Sequence, residues 1–358
     1  MTGAVVRHAP GKLFVAGEYA VLRPGSPAIL VAADRRITVT VTPEDDDVVI
    51  ASDLTGDEVR LNRADGLAEG GGPPPVVSAI EAADELLGER GLPLPRVRLA
   101  IDSDLHENGV KFGLGSSGAV TVATIAAVLA HCGVSLSTEE RFRLALLATA
   151  RRDPDSSGGD LAASTWGGWI SYRAPNRAAV VALARRVGVD AALRAPWAGF
   201  EVRRLPPPRG LAFEVGWTRR PVSTSDRVTG HAVRRWRDSP AYRVFTRRSG
   251  ECVTAAADAL ERGDDRALLA QLRRARRLLA DADDLAGLGI FTDSLTSLCD
   301  AAEAVGGAGK PSGSGGGDCG IALVDTEPAA VGLLRERWLA EGISPLPSTS
   351  PHPRGPRR

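Results

Sequence analysis

Lys111-Phe-Gly-Leu-Gly-Ser-Ser-Gly-Ala119 is the stretch on which the reading of this 358-residue chain turns. Three glycines alternate with a leucine and two serines, and an apolar segment, 118–131, follows at once. Glycine lets a backbone approach a ligand closely, and successive N–H groups in such a turn can point at one anion. A helix starting there adds its positive end and its unpaired first amides. Ser116 and Ser117 contribute hydroxyls, to a phosphate oxygen, to a metal ion or, more plainly, to the helix as its N-cap. The spacing therefore predicts a phosphate cradle opening a buried helix over 118–131. A glycine-rich helix entry with serine caps is the competing reading.

Gly113, Gly115 and Gly118 also satisfy G-x-G-x-x-G, but that pattern marks a dinucleotide fold only when a strand runs directly into it. The nearest predicted strand, 97–101, is separated from it by a polar loop at 102–115. The acidic residue that should end the next strand is replaced by Ser137-Thr-Glu-Glu140, a capping box. A phosphate loop of the Walker type needs Gly-Lys-Ser/Thr at its end, which is missing, as are the His-Arg-Asp and Asp-Phe-Gly signatures of protein kinases.

Two further glycine-rich segments flank the chain. Ala9-Pro-Gly-Lys-Leu-Phe-Val-Ala-Gly-Glu-Tyr-Ala-Val-Leu22 lies near the start. Lys310-Pro-Ser-Gly-Ser-Gly-Gly-Gly-Asp-Cys-Gly320 lies near the end and runs into a predicted strand at 319–324. Of 44 lysines and arginines only Lys12, Lys111 and Lys310 are lysines, and each sits in or beside one of the three segments. An ammonium and a planar guanidinium are not interchangeable at a phosphate site.

The remaining patterning is that of a large α+β protein. Strands are predicted at 30–42, 97–101, 168–172 and 211–217. Helices are predicted at 76–90, from the capping box to about 151, at 160–164, 225–237, 242–262 and 265–279. Pro- and Gly-rich 205–210 reads as a connection, giving domains at 1–204 and 205–346 and a disordered tail at 347–358. Strands and helices mix without regular βαβ alternation. Zero formal charge and 4% aromatics offer nothing to nucleic acid. No apolar run spans a bilayer and no signal peptide is visible, so a cytoplasmic protein is expected. Cys132, Cys252, Cys299 and Cys319 are scattered and should be reduced thiols; the histidines have no metal-ligand spacing. Paired arginines at 234–235, 273–274 and 276–277 read as solvated faces or as a contact with a second copy, leaving monomer or homodimer open.

Taken together, in this order, the three segments resemble the three motifs of the GHMP kinases. The resemblance covers the chain up to the tail. It implies a two-domain α+β fold, with an N-terminal domain like ribosomal protein S5 and a ferredoxin-like C-terminal domain. It implies ATP and Mg2+ as cofactors. Lys111 before the loop, Ser157-Gly-Gly-Asp-Leu-Ala162, Val215-Gly-Trp-Thr218 and Gly316-Gly-Asp-Cys-Gly-Ile-Ala322 are similar to the branch that phosphorylates 5-phosphomevalonate to its 5-diphosphate in the mevalonate route to isoprenoids. Kinases of mevalonate, homoserine or a sugar are the alternatives. A nucleotide-binding dehydrogenase and a non-catalytic relative are the more distant ones. One departure is Arg152-Asp-Pro-Asp-Ser156, where Gly and Asn would precede the serine.

Carried over by position, Lys12 and Asp160 are the implied catalytic pair, Lys12 on the transferring phosphoryl group and Asp160 orienting it. Lys111, Gly113, Leu114, Gly115, Ser116, Ser117 and Gly118 are implied to bind ATP. Tyr19, Lys111, Ser157, Ser223, Gly313, Ser314, Gly315 and Asp318 are implied to bind the acceptor, with Lys310 as a further phosphate contact. Ser117 is the implied protein ligand of Mg2+, with Asp160 or Glu18 as its carboxylate partner.

Overall fold

The computed structural model describes residues 3–53, 56, 58–219 and 230–347. The chain opens on a 12-residue strand, β1 (Val5–Ala16), antiparallel to β2 (Pro27–Pro43). The pairing slips between Pro10 and Lys12 and again between Phe14 and Ala16. Such bulges re-aim side chains, and the first sits at Lys12. β3 (Val48–Ser52), β4 (Glu58–Leu61), α1 (Pro74–Glu89) and β5 (Val97–Ser103) follow. A short hairpin, β6 (His106–Glu107) and β7 (Val110–Lys111), occupies what the sequence reads as plain loop. Asn108 and Gly109 turn it, both at positive φ as such tight turns require.

α2 (Ser116–His131), α3 (Thr138–Arg152), α4 (Gly159–Trp166), β8 (Trp169–Arg173), α5 (Arg177–Val187), α6 (Val189–Arg194) and β9 (Glu201–Leu205) complete the first sheet and its helical cover. The seven strands run β4-β3-β5-β2-β8-β9, with β1 also on β2. α2 is apolar on nearly every side because it is buried on nearly every side: Ala119, Ala123, Ile125, Ala127 and Val128 are all inaccessible. The capping box at the start of α3 forms as read, Ser137 and Glu140 bonding each other's backbone N–H.

After Leu205 the chain builds a second sheet from β10 (Leu211–Trp217). α7 (His231–Arg237), α8 (Pro240–Arg262), α9 (Asp265–Ala286) and α10 (Asp293–Ala304) come next, then β11 (Ala308–Pro311), β12 (Cys319–Asp325), α11 (Pro328–Ala340) and β13 (Ser344–Leu346). Its order is β11-β12-β10-β13. α10 and α11 pack on it through Leu295, Leu298, Leu334 and Trp338. α9 runs a turn and more beyond its predicted end, because Ala282 is still buried and the helix stops only at Gly287 in the left-handed region. Lys310 and Pro311 belong to β11 rather than to the glycine loop. The cysteines are free, three of them buried. No described helix is long and apolar enough to cross a membrane.

Candidate functional site

The two bulges turn β1 into the hub of the site. Lys12 N–H donates to Leu114 O at 2.7 Å, so the first glycine segment is bonded to the second. Phe14 N–H donates to Ser312 Oγ at 2.8 Å, and that hydroxyl donates to Phe14 O at 3.1 Å, tying in the third segment like an extra strand. Ser164 of α4 donates to Pro10 O at 2.7 Å. The Cys319 thiol donates to Phe112 O at 3.0 Å, joining the third segment to the second. Three stretches far apart in sequence, the second and third glycine segments and α4, are thus fixed around one strand by directional bonds.

At the entry to α2 the sequence reading needs one correction. Neither serine caps the helix: Gly115, at φ 75°, is the N-cap, and no side chain bonds the first amides. Ser116 and Ser117 make no hydrogen bond with their hydroxyls, and Ser117 is exposed. Left-handed Gly115 turns the chain into the helix so that the first-turn N–H groups, which have no acceptor within the helix, stay available together with both hydroxyls. This is what an anion cradle requires.

Glycine is dictated here by close approach as well. A Cβ at Gly118 would lie 2.5 Å from Asp160 Oδ2, and one at Gly113 2.5 Å from Asp318 Oδ2. A Cβ at Gly115 would lie 2.8 Å from Lys12 Cγ and 3.3 Å from Asp160 Cβ. The cradle therefore lies directly against Lys12, Asp160 and Asp318. A Cβ at Gly313 would stand 3.4 Å from Lys12 Nζ, so the third loop reaches the same ammonium.

Lys12 is 6% exposed, with its Nζ 5.6 Å from the centre of the Phe14 ring. Among the described residues its ammonium makes one hydrogen bond, a long one of 3.4 Å to Gly113 O, and no carboxylate lies within 4.0 Å of it. Asp160 stands at the first turn of α4, where its own and Leu161's backbone N–H favour the ionised carboxylate. Burial nevertheless raises its carboxyl above the ordinary range, with the Lys12 charge opposing and Asp153 adding to the rise. Lys12 and Asp160 are neighbours across Gly115 rather than a direct ion pair.

The third loop closes on this floor. Tyr19, at φ 58°, donates its hydroxyl to Ser314 O at 2.7 Å, and Tyr242 donates to Tyr19 O at 2.9 Å. Gly316 N–H donates to Ile290 O at 2.7 Å. Asp318, at φ 50°, has its carbonyl held by Thr218 N–H at 2.9 Å. Ser314 Oγ is buried with no hydrogen-bond partner among the described residues. An orphan hydroxyl in a wall beside an unpaired ammonium points to a ligand that would complete both.

The remaining sequence-derived residues divide. Ser157 lies at the rim of the site: its Oγ accepts from Gly159 N–H at 3.1 Å and its carbonyl from the Tyr172 hydroxyl at 2.7 Å. Lys111 ends the β6–β7 hairpin, exposed and bonded to none of these residues through its side chain. Ser223 lies outside the described residues. Lys310 contradicts its expected role. It is fully buried, its ammonium paired with Glu18 and donating to Pro311 O at 2.6 Å, so it has no reach to a phosphate. Glu18, 3% exposed and spent on that pair, is for the same reason no metal ligand.

Sequence reasoning missed Ser312, which is read only as part of a glycine loop, and Asp155. Asp155 lies in the segment that departs from the expected pattern, and its carboxylate pairs with Arg237 of α7 at 2.7 Å. No group of three or more His, Cys, Asp or Glu side chains among the described residues could hold a metal unaided.

Residues 76–168 match the family described as the GHMP kinases N terminal domain, and 256–339 that described as GHMP kinases C terminal. A phosphomevalonate kinase from Streptomyces sp. (strain CL190) is 59% identical over 361 residues, covering 96% of each chain. The solved structure of Streptococcus pneumoniae phosphomevalonate kinase with phosphomevalonate and AMPPNP superposes with a TM-score of 0.86 at 29% identity, over 96% of this chain and 98% of that one. A Listeria innocua protein of known structure superposes with a TM-score of 0.89 at 33% identity, over 97% of both.

Proposed function

Since this chain belongs to the GHMP kinases, we propose that it transfers the γ-phosphoryl group of ATP to the phosphate of 5-phosphomevalonate, giving the 5-diphosphate used in the mevalonate route to isoprenoids. The observation that carries the acceptor is the 59% identity, end to end, with a phosphomevalonate kinase.

The chemistry asks little of a base. A phosphate monoester loses its second proton near pH 6, so the attacking oxygen is already ionised at neutral pH. What must be supplied is positive charge and alignment for two polyanions. Lys12 supplies the charge: it is the ammonium in the cleft with no acid of its own. The first-turn amides of α2, with Ser116 and Ser117, hold the nucleotide's phosphates. Asp160, across Gly115, positions Lys12 and the acceptor. Gly313, Ser314, Gly315 and Asp318 close over the acceptor, and Ser157 contacts its phosphate or carboxylate. Lys111 approaches from the hairpin.

The site suits Mg2+ in a limited way. Asp160's carboxylate lies against Gly118, the residue after Ser117. One carboxylate and one hydroxyl are a sparse set, of the kind magnesium takes when most of its ligands are phosphate oxygens and water. Ser117 and Asp160 would hold it, and the ion would offset phosphate charge.

The test is ADP release with Mg-ATP against 5-phosphomevalonate, mevalonate, homoserine and galactose. Rapid turnover with 5-phosphomevalonate alone is expected. Faster turnover with any of the other three would overturn the acceptor.

A further inference from the structure

A cavity of about 290 Å3 opens at the opposite end of α2 from the cradle, between that helix, the start of β1 and the start of α3. At 1.5 Å rise per residue it is roughly 18 Å from Ser117 along the helix axis. Its accessible apolar wall is Ala126, Ala130, Val134 and Leu136, with Ile125 and Leu129 buried behind it, and Arg7 and Arg141 also line it. Neither has a carboxylate within 4.0 Å among the described residues. Arg7 bonds only the carbonyl of its neighbour Val6. Arg141 Nε is buried without any partner.

Two like charges in one partly apolar cavity repel each other, and burial and the Arg7 charge both hold Arg141 below its ordinary range. The carbonyl end of α2, near 130–133, adds a negative field equivalent to about half a charge. That is too little for two full cations, and Arg141 bonds none of those carbonyls. The arrangement lacks an anion, and the accessible apolar residues of its wall leave room for an anion that carries an apolar body. A cavity of this size is at the small end of those that bind organic molecules. A dianionic head matches two guanidiniums, which favours phosphate over carboxylate.

We propose that this cavity is a binding site, separate from the phosphoryl-transfer centre, for a small organic phosphate. Its head lies between Arg7 and Arg141 and its apolar body against Ala126, Ala130, Val134 and Leu136.

The test is calorimetric titration of the full chain with hexyl phosphate, with AMPPNP and 5-phosphomevalonate saturating the nucleotide and acceptor sites. One saturable site is expected, weakened at least tenfold in Arg7→Met and in Arg141→Met. Inorganic phosphate and hexanol, each carrying half of the ligand, should bind at least tenfold more weakly than hexyl phosphate. Arg7 is exposed, so its variant keeps the test open should Arg141→Met fold poorly. Absence of binding, or equal affinity in the Arg7→Met protein, would overturn the site. Hexanoate binding as tightly as hexyl phosphate would overturn the phosphate head.

Discussion

Lys12 and Lys310 look alike in the sequence, each a rare lysine at the edge of a glycine-rich motif, and the fold puts them to opposite uses. Both are nearly inaccessible. Lys310 has a carboxylate, Glu18, and a carbonyl at 2.6 Å. Lys12 has one long bond to a carbonyl, an aromatic ring and no acid. A buried ammonium that is paired is finished. One that is unpaired bears a desolvation cost which an anionic ligand can offset. The difference separates a lysine that holds the motifs together from one left open to the phosphoryl group we propose it binds, and it is decided by one residue, Glu18, 292 positions from Lys310.

The largest effect should come from the unpaired member. Lys12→Met should lower kcat by about a thousandfold, a barrier increase of about 4 kcal/mol, with the urea midpoint no lower than the parent's, since the desolvation cost of the unpaired ammonium goes with it. Turnover within tenfold of the parent would break the comparison. Lys310→Met should do the reverse, costing about 3–5 kcal/mol of stability by stranding Glu18. The folded fraction should keep kcat within a few-fold. The comparison sharpens with Glu18→Leu added to Lys310→Met. Removing both charges should recover most of the lost stability, read as the coupling in a double-mutant cycle of urea midpoints.

How far the sequence anticipates this depends on whether a residue's partner is local. The cradle at Gly113–Gly118 is legible because close backbone approach leaves only glycine, and a run of glycines is visible without any structure. The capping box at Ser137 is legible because both partners lie within one turn. β1 goes unread as a strand because Pro10 and Gly11 interrupt its alternation, and the interruption is the bulge that aims Lys12. Lys310 is misread because its glycine neighbours suggest a ligand loop while the acid that neutralises it belongs to another motif. Ser116 and Ser117 are misjudged as caps because serine before a helix usually is one, and only the backbone shows Gly115 taking that place. The wall of the site, Ser312 on Phe14 and Tyr19 on Ser314, has no signature in spacing at all.

Asp160 tests the comparison from the acidic side. Burial raises its carboxyl, so the native state binds this proton more tightly than the unfolded chain does. The stability it contributes is complete below the unfolded carboxylate range, about pH 4, and is lost as pH rises through the native value. At neutral pH its ionised form weighs against folding. Asp160→Asn should therefore lower kcat by about a hundredfold and yet raise Tm. The gain should be present at pH 7 and shrink to nothing as pH falls below 4. A lower Tm at pH 7 would mean that Asp160 holds the fold as Lys310 does.

The smallest effect separates two serines as the two lysines are separated. Ser312 spends its hydroxyl on both backbone groups of Phe14, whereas Ser117 has an exposed hydroxyl with no partner. Ser312→Ala leaves a buried N–H and a buried carbonyl unmatched and should cost about 1–3 kcal/mol of stability. Ser117→Ala strands nothing, so its urea midpoint should stay where it is. If Ser117 contacts the nucleotide's phosphates or their magnesium, that variant should raise KM for Mg-ATP several-fold and leave KM for the acceptor unchanged. An unchanged KM for Mg-ATP would place the free hydroxyl beside the phosphates without contact, and the cradle would then rest on its backbone amides alone.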